Sequence, residues 1–352
     1  MKLFVDVDHK TISTYHTNYL SHIIMQLFIK HKVYIITCLL IGISVCITSF
    51  IEPNEVEINN GLISAHLYLP NFTTGYYRAV RFDWAGIIPS LTYNGHSYYG
   101  QWFKNYDPLK DDAVMGPVES FDPLGYDKAR IGGSFLKIGV GVLTKPDDSI
   151  YKFSRLYKIV NPGKWDVQVK KDQVIFTHTL KDSAYSYSYE KTVKLIKNKP
   201  ILELSHTLKN TGNRIIETSV FDHNFLVMDN QPTGAGFDIT FPFDLSGIVN
   251  RKPDYVKLQG NQLIYLKDLD NKFVSFVDLT NGKGSEHYDL KIENHNTGAA
   301  VRITADKPIE KMVFWSADKT ICPEPYIKIK VAPGQEFTWT IRYEYYTCNI
   351  VK

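Results

Sequence analysis

From residue 51 onward the chain alternates between apolar and polar positions. Tyr185, Tyr187, Tyr189, Val193 and Leu195 fall on one face of an extended segment, and Ser186, Ser188, Glu190, Thr192 and Lys194 fall on the other. A two-residue period marks a strand with one buried and one solvated face. Val174, Phe176, His178 and Leu180 repeat it against Gln173, Thr177 and Thr179. Leu202, Leu204, His206 and Leu208 do the same against Glu203, Ser205 and Thr207. Turn formers separate the runs: Lys181-Asp182, Asn198-Lys199-Pro200 and Asn210-Thr211-Gly212-Asn213. Strands recurring roughly every 10–12 residues predict a sandwich or barrel. The expected architecture is all-β, one large antiparallel β-sandwich domain over residues 51–352, without internal boundary or repeat.

The last stretch reads as a hairpin. Ile327, Ile329 and Val331 alternate with Lys328 and Lys330, Pro333-Gly334 makes the turn, and Phe337, Trp339, Ile341, Tyr343 and Tyr345 alternate with Thr338, Thr340, Arg342 and Glu344. Such a hairpin brings Cys322 and Cys348 toward its open end. They stand about three residues out of register, so a disulfide there needs a bulge or a bend.

The N-terminus obeys a different pattern. Val33 to Ile51 is apolar and nearly uncharged, and Lys30, His31 and Lys32 precede it. A basic flank before an apolar run long enough to span a bilayer predicts an export signal or membrane anchor. Residues 1–50 are therefore expected to be a tail plus signal peptide or anchor, with the domain periplasmic or extracellular. Starting at Met25 would give a leader of ordinary length, and Val45 fits poorly before Cys46 as a lipoprotein signal. The alternative is a buried core helix; the basic flank and the lack of helical amphipathicity count against it. An acidic linker (Glu52, Glu55, Glu57) follows.

Composition adds three constraints. Hydrophobic residues at 44% and charged residues at 22% are an ordinary globular balance, enough to bury a sizeable core. The net charge of 40 − 37 = +3, with no Lys/Arg run longer than two, excludes a nucleic-acid footprint. Aromatic residues reach 13%, with 23 Tyr, which favours strands and supplies flat platforms for sugar rings.

Standard local motifs are missing: no phosphate-cradling glycine loop, nucleophile elbow, paired-cysteine site or His-x-x-x-His site occurs. No cofactor or metal is expected, and function must rest on polar residues scattered along strands. Two segments qualify. In Val220-Phe221-Asp222-His223-Asn224-Phe225, alternation sends His223 to one face with Phe221 and Phe225, and Asp222 and Asn224 to the other. Histidine exchanges protons near neutral pH; the alternative is a core histidine bonded to a neighbouring strand, which is also the reading for His206 and His178. In the second segment Glu324 sits between Pro323 and Pro325. Each proline restricts its own backbone and that of the residue before it, so the carboxylate has a defined direction. A surface loop glutamate is the alternative.

These segments together resemble the aldose 1-epimerase (galactose mutarotase) superfamily. His-Asn-Phe on a middle strand is followed about a hundred residues later by Pro-Glu-Pro, an Ala-Pro-Gly turn and an aromatic strand. Arg81-Phe82-Asp83-Trp84-Ala85-Gly86 and Leu91-Thr92-Tyr93-Asn94-Gly95 resemble its early strand and turn. The resemblance implies a β-sandwich holding a sugar or sugar derivative, with His223 as acid and Glu324 as base in opening and reclosing the ring. No metal or redox cofactor is implied, and membrane contact is expected only through the N-terminal segment. Arg81, Arg130, Asp222, Asn224 and Trp315 are the expected substrate contacts. The chain departs from the family where a second histidine stands: Asp122 to Gly133 contains none. Arg130, Lys137 or Tyr126 could substitute there, with Glu119 or Asp122 lining the site. A non-catalytic carbohydrate-binding sandwich is the second reading, and an accessory domain of a polysaccharide-processing system the third.

Overall fold

The structure, a computed structural model, describes residues 54–182, 185–248 and 254–351. The apolar segment 33–51 lies outside them. Among the described residues no helix is long and apolar enough to cross a membrane, and helix is confined to a short 3-10 turn at Met228–Asn230.

Two antiparallel sheets dominate, of ten and five strands. The ten-stranded sheet includes the predicted hairpin strands Gln173–Leu180, Tyr187–Leu195 and Ile201–Asn210, paired through Val174↔Val193 and Val193↔Leu204. The five-stranded sheet runs in the order Phe273–Phe276, Lys311–Ala317, Thr320–Val331, Ile216–His223, Val118–Phe121. A four-stranded sheet begins at Glu55–Asn59, and a three-stranded sheet is formed by Ser134–Lys137, Gly141–Thr144 and Ile159–Asn161.

The C-terminal hairpin does not form. Thr320–Val331 pairs with Ile216–His223 and Lys311–Ala317, whereas Glu336–Thr347 pairs with Ile201–Asn210 and Ala299–Ala305 in the other sheet. The Pro333-Gly334 turn thus carries the chain between sheets, and so does the turn after Asn210. Two amphipathic strands joined by a tight turn bury their apolar faces equally well side by side or face to face, so alternation cannot separate these outcomes. Buried Asn210 ties both crossings together. Its Nδ2 donates to Val331 O (2.9 Å) and Arg214 O (2.7 Å), and its backbone carbonyl accepts from the Gly334 N–H (2.9 Å). With the two strands in different sheets, Cys322 and Cys348 are both free thiols.

The five-stranded sheet is covered on both faces. One face meets the ten-stranded sheet through a core that includes Leu204, Val220, Ile327, Trp339 and Tyr343. The other carries a second cluster with Tyr77, Phe82, Trp84, Phe135, Phe221 and Phe225. Within the first core lies a polar network. Glu119 accepts a short hydrogen bond from Lys191 Nζ and contacts His206 Nε2 at 2.6 Å. Lys191 also donates to Ala85 O (3.0 Å) and stands 3.9 Å from Asp83 Oδ1. His206 lies flat on Trp339, ring centres 4.4 Å apart. Burial alone would raise the Glu119 carboxyl, but the Lys191 ammonium and His206 outweigh it and hold it at about 2. Gly86 makes room for this contact. Its φ is +72°, and a Cβ there would stand 3.0 Å from Lys191 Cε.

Replacing Lys191 by Met leaves the Glu119 carboxylate between the sheets with His206 alone and is expected to lower stability by about 3–5 kcal/mol. Combining it with Glu119→Leu should restore most of that loss. Urea unfolding of the three proteins checks both; an unchanged midpoint for Lys191→Met contradicts an ionised Glu119.

Candidate active site

His223 and Glu324 occupy neighbouring strands of the five-stranded sheet. Pairing runs from Ile216↔Val331 to Phe221↔Tyr326 and resumes in the same register at the Leu226–Ile321 bridge. That register sets His223 directly across from Glu324. Asn224 Nδ2 donates to Pro323 O (2.7 Å) in the interval, tying the strands where prolines thin the backbone ladder. On the far side Glu324 pairs with Val313, and Cys322 with Trp315.

The imidazole and the carboxylate meet: Nε2 to Oε1 is 3.3 Å. Both side chains are almost inaccessible, His223 at 3% and Glu324 at 6%. The imidazole stacks on Phe225 at 3.8 Å, with Phe82 edge-on at 5.5 Å and Trp315 at 6.1 Å. Phe225 has φ of 28°, a strained value for a bulky residue, and its ring is held between His223 and Trp102. His223 Nδ1 is buried without a partner.

The pair forms part of the wall of a cleft of about 600 Å³ on the outer face of the sheet. Arg81, Trp102, Lys137, Phe153, Lys311 and Trp315 are among its other walls. The Arg81 guanidinium lies over Phe82 (4.7 Å) and Phe153 (4.2 Å), and its buried Nε has no partner. Lys137 Nζ donates to Phe121 O (2.5 Å) and contacts Ser120 Oγ at 3.4 Å. Burial governs the charges. It holds the His223 imidazole well below its ordinary range, and the Arg81 cation adds to that. It raises the Glu324 carboxyl to about 7 against the opposing pull of Arg81 and Lys311. It lowers the Lys137 amine to about 7, with Asp122 opposing. Among the described residues no group of three or more His, Cys, Asp or Glu is placed to hold a metal ion.

No protein-family model and no curated protein matches the chain. Solved structures do. A galactose mutarotase related enzyme from Lactobacillus acidophilus superposes with TM-score 0.52 at 13% identity, covering 85% of this chain and 100% of that one. A galactose mutarotase-like protein from Clostridium acetobutylicum gives 0.52 at 12% identity over 85% and 97%. An aldose epimerase homologue from C. elegans gives 0.50 at 15% over 84% and 100%. The fold is galactose mutarotase-like.

On this mutarotase-like sandwich, His223, Glu324, Arg81 and Trp315 share one cleft, and Lys137 and Asp122 join them. Arg130 and Tyr126 do not. Arg130 is exposed, and Tyr126 is buried against Phe135 with its hydroxyl donating to Ser149 O (2.9 Å). Asp222 and Asn224 are also apart from the cleft, because alternation turns them inward. The Tyr343 hydroxyl sits between them, in a short contact with Asp222 and 2.8 Å from Asn224 Oδ1. Their expected sugar contacts give way to a role in fixing the His223 strand. Glu119 likewise faces the core. Sequence reasoning missed Trp102, Phe153 and Lys311. Phe153 and Trp102 come from irregular segments, where no period says which way a side chain points.

Glu324 makes stability depend on pH in a defined direction. Its folded carboxyl titrates near 7 and its unfolded one near 4.5, so between these values the native state holds more protons. Stability supplied by the neutral carboxyl is present below about 4.5 and lost as pH rises to about 7. Relative to Glu324→Gln, the wild type should lose on the order of 3 kcal/mol across that window. Denaturant midpoints of both proteins from pH 4.5 to 8 check this; parallel curves contradict it.

Proposed function

We propose that the chain is an aldose 1-epimerase-like isomerase that opens and recloses a sugar ring by acid–base catalysis. The observation that carries the reading is the 3.3 Å contact of His223 with Glu324 in a cleft otherwise walled by aromatic and cationic side chains. Ring opening removes a proton from the anomeric hydroxyl and adds one to the ring oxygen. Both oxygens are bonded to the same carbon, so an acid and a base in mutual contact can serve them together. The aldehyde then rotates about its bond to the next carbon, and the reverse transfers close the ring on the other face.

One proton on the pair suffices. Carboxylate with imidazolium, and protonated carboxyl with neutral imidazole, are two distributions of that same proton. The superfamily's roles, Glu324 as base and His223 as acid, correspond to the first. Burial favours the second, since it raises the carboxyl and lowers the imidazole. A substrate whose hydroxyls replace lost hydration moves the pair toward the charged form. Trp315 offers a face for stacking on the ring, and Arg81 offers donors to hydroxyls.

Anomer exchange followed by NMR or optical rotation over several aldoses tests the reading. Each of His223→Ala and Glu324→Gln should lower the rate by about 10²–10⁴. In the wild type, kcat/KM should fall as pH rises through about 7, where the pair loses its proton. Heat of sugar binding without accelerated exchange overturns the isomerase and leaves a carbohydrate-binding sandwich.

A further inference from the structure

Lys137 is the buried cleft group for which proton transfer between His223 and Glu324 has no use. It ends the strand Ser134–Lys137, opposite Gly141 in the next strand, and its carbonyl accepts from the Val140 N–H (3.2 Å) across a tight turn. Gly139 makes that turn possible. Its φ is +76°, and a Cβ there would collide with Asp83 Cβ at 2.4 Å. The residue is only 2% exposed. Its Nζ reaches a backbone carbonyl, a hydroxyl and, at 5.7 Å, the face of Tyr151. Asp122 favours its charged form and Arg81 opposes it, yet Lys137 forms no ion pair among the described residues. A lysine placed to hold a structural charge is ordinarily paired with a carboxylate. This one lies instead in the wall of the same cleft as the acid–base pair.

We propose that Lys137 is a nucleophilic amine that captures the carbonyl carbon of an open-chain sugar or other small aldehyde as an imine. For a cyclic sugar this rests on the ring-opening reading, which supplies the aldehyde; a substrate without a ring form needs no such step. The Nζ lone pair attacks the carbonyl carbon, the C=O π pair moves to oxygen, and oxygen gains the proton that nitrogen loses. The resulting hydroxyl, protonated by the Glu324 carboxyl, departs as water while the nitrogen lone pair forms C=N, and the iminium so formed returns its N–H proton to the Glu324 carboxylate. Amine and aldehyde thus give imine and water, with no oxidant or reductant. Hydrolysis reverses every step. Burial keeps a large share of the amine unprotonated near neutral pH, the condition a lysine nucleophile requires.

The test is reductive trapping of the full chain with D-glyceraldehyde, a triose with no ring form, and cyanoborohydride at pH 7. Peptide mapping by mass spectrometry locates the adducts. Lys137 should be modified ahead of exposed lysines, whose unprotonated fraction at this pH is on the order of a thousandfold smaller. Its labelling should level off above about pH 7, while that of surface lysines keeps rising. Lys137→Met should lose the early adduct; if that variant fails to fold, the wild-type map alone decides. Labelled surface lysines beside an unmodified Lys137 overturn the proposal. Anomer exchange measured on the same preparation separates the two readings. Exchange without a Lys137 adduct removes the imine and keeps the isomerase; an adduct without exchange does the reverse.

Discussion

Glu119 is a carboxylate in the apolar space between two sheets, and it is ionised there because Lys191 and His206 reach it from the opposite sheet. A buried charge without a partner would be untenable, so this contact fixes how the sheets face one another. Its strand pairs with the strand of His223, and Glu119 stands opposite Asp222 in that ladder. Interlocking the cores therefore also positions the strand on whose other face the candidate site is built. Gly86 belongs to the same constraint, since its φ of +72° favours glycine and a Cβ there would crowd the Lys191 side chain at 3.0 Å.

The five-stranded sheet serves two environments at once. Asp222 and Asn224 point into the inter-sheet core, where Tyr343 holds them, while His223 and Phe225 point into the cleft. Because the cleft face carries a second apolar cluster, the acid–base pair is almost inaccessible to solvent. Desolvation there pushes an acid up and two bases down. All three shifts have burial as their largest cause, so the proton economy of the cleft follows from its walls more than from pairwise attraction.

Much of the architecture was legible in local patterns. The alternation at 173–208 corresponds to three strands paired as hairpins, because adjacent strands joined by short turns sample each other first. The faces of Phe221, His223 and Phe225 against Asp222 and Asn224 were readable for the same reason. The pattern also contained an unread signal: Lys191 occupies the inward position between Tyr189 and Val193, a charge where packing alone would place an apolar residue.

What the chain alone determined is the set of amphipathic strands, their inward residues and the directional Pro-Glu-Pro carboxylate, since these depend on period and backbone restriction within a few residues. Tertiary structure decided which strands share a sheet. Pro333-Gly334 joins two strands that bury the same faces in either arrangement, and only Asn210 and the partners on each side select the crossing. It also decided that residues 223 and 324 touch, and that Arg81 and Lys137 line their cleft while Arg130 stays in solvent. Those outcomes are set by register across strands and by loop placement, and desolvation, which sets the charges, exists only once the layers have closed.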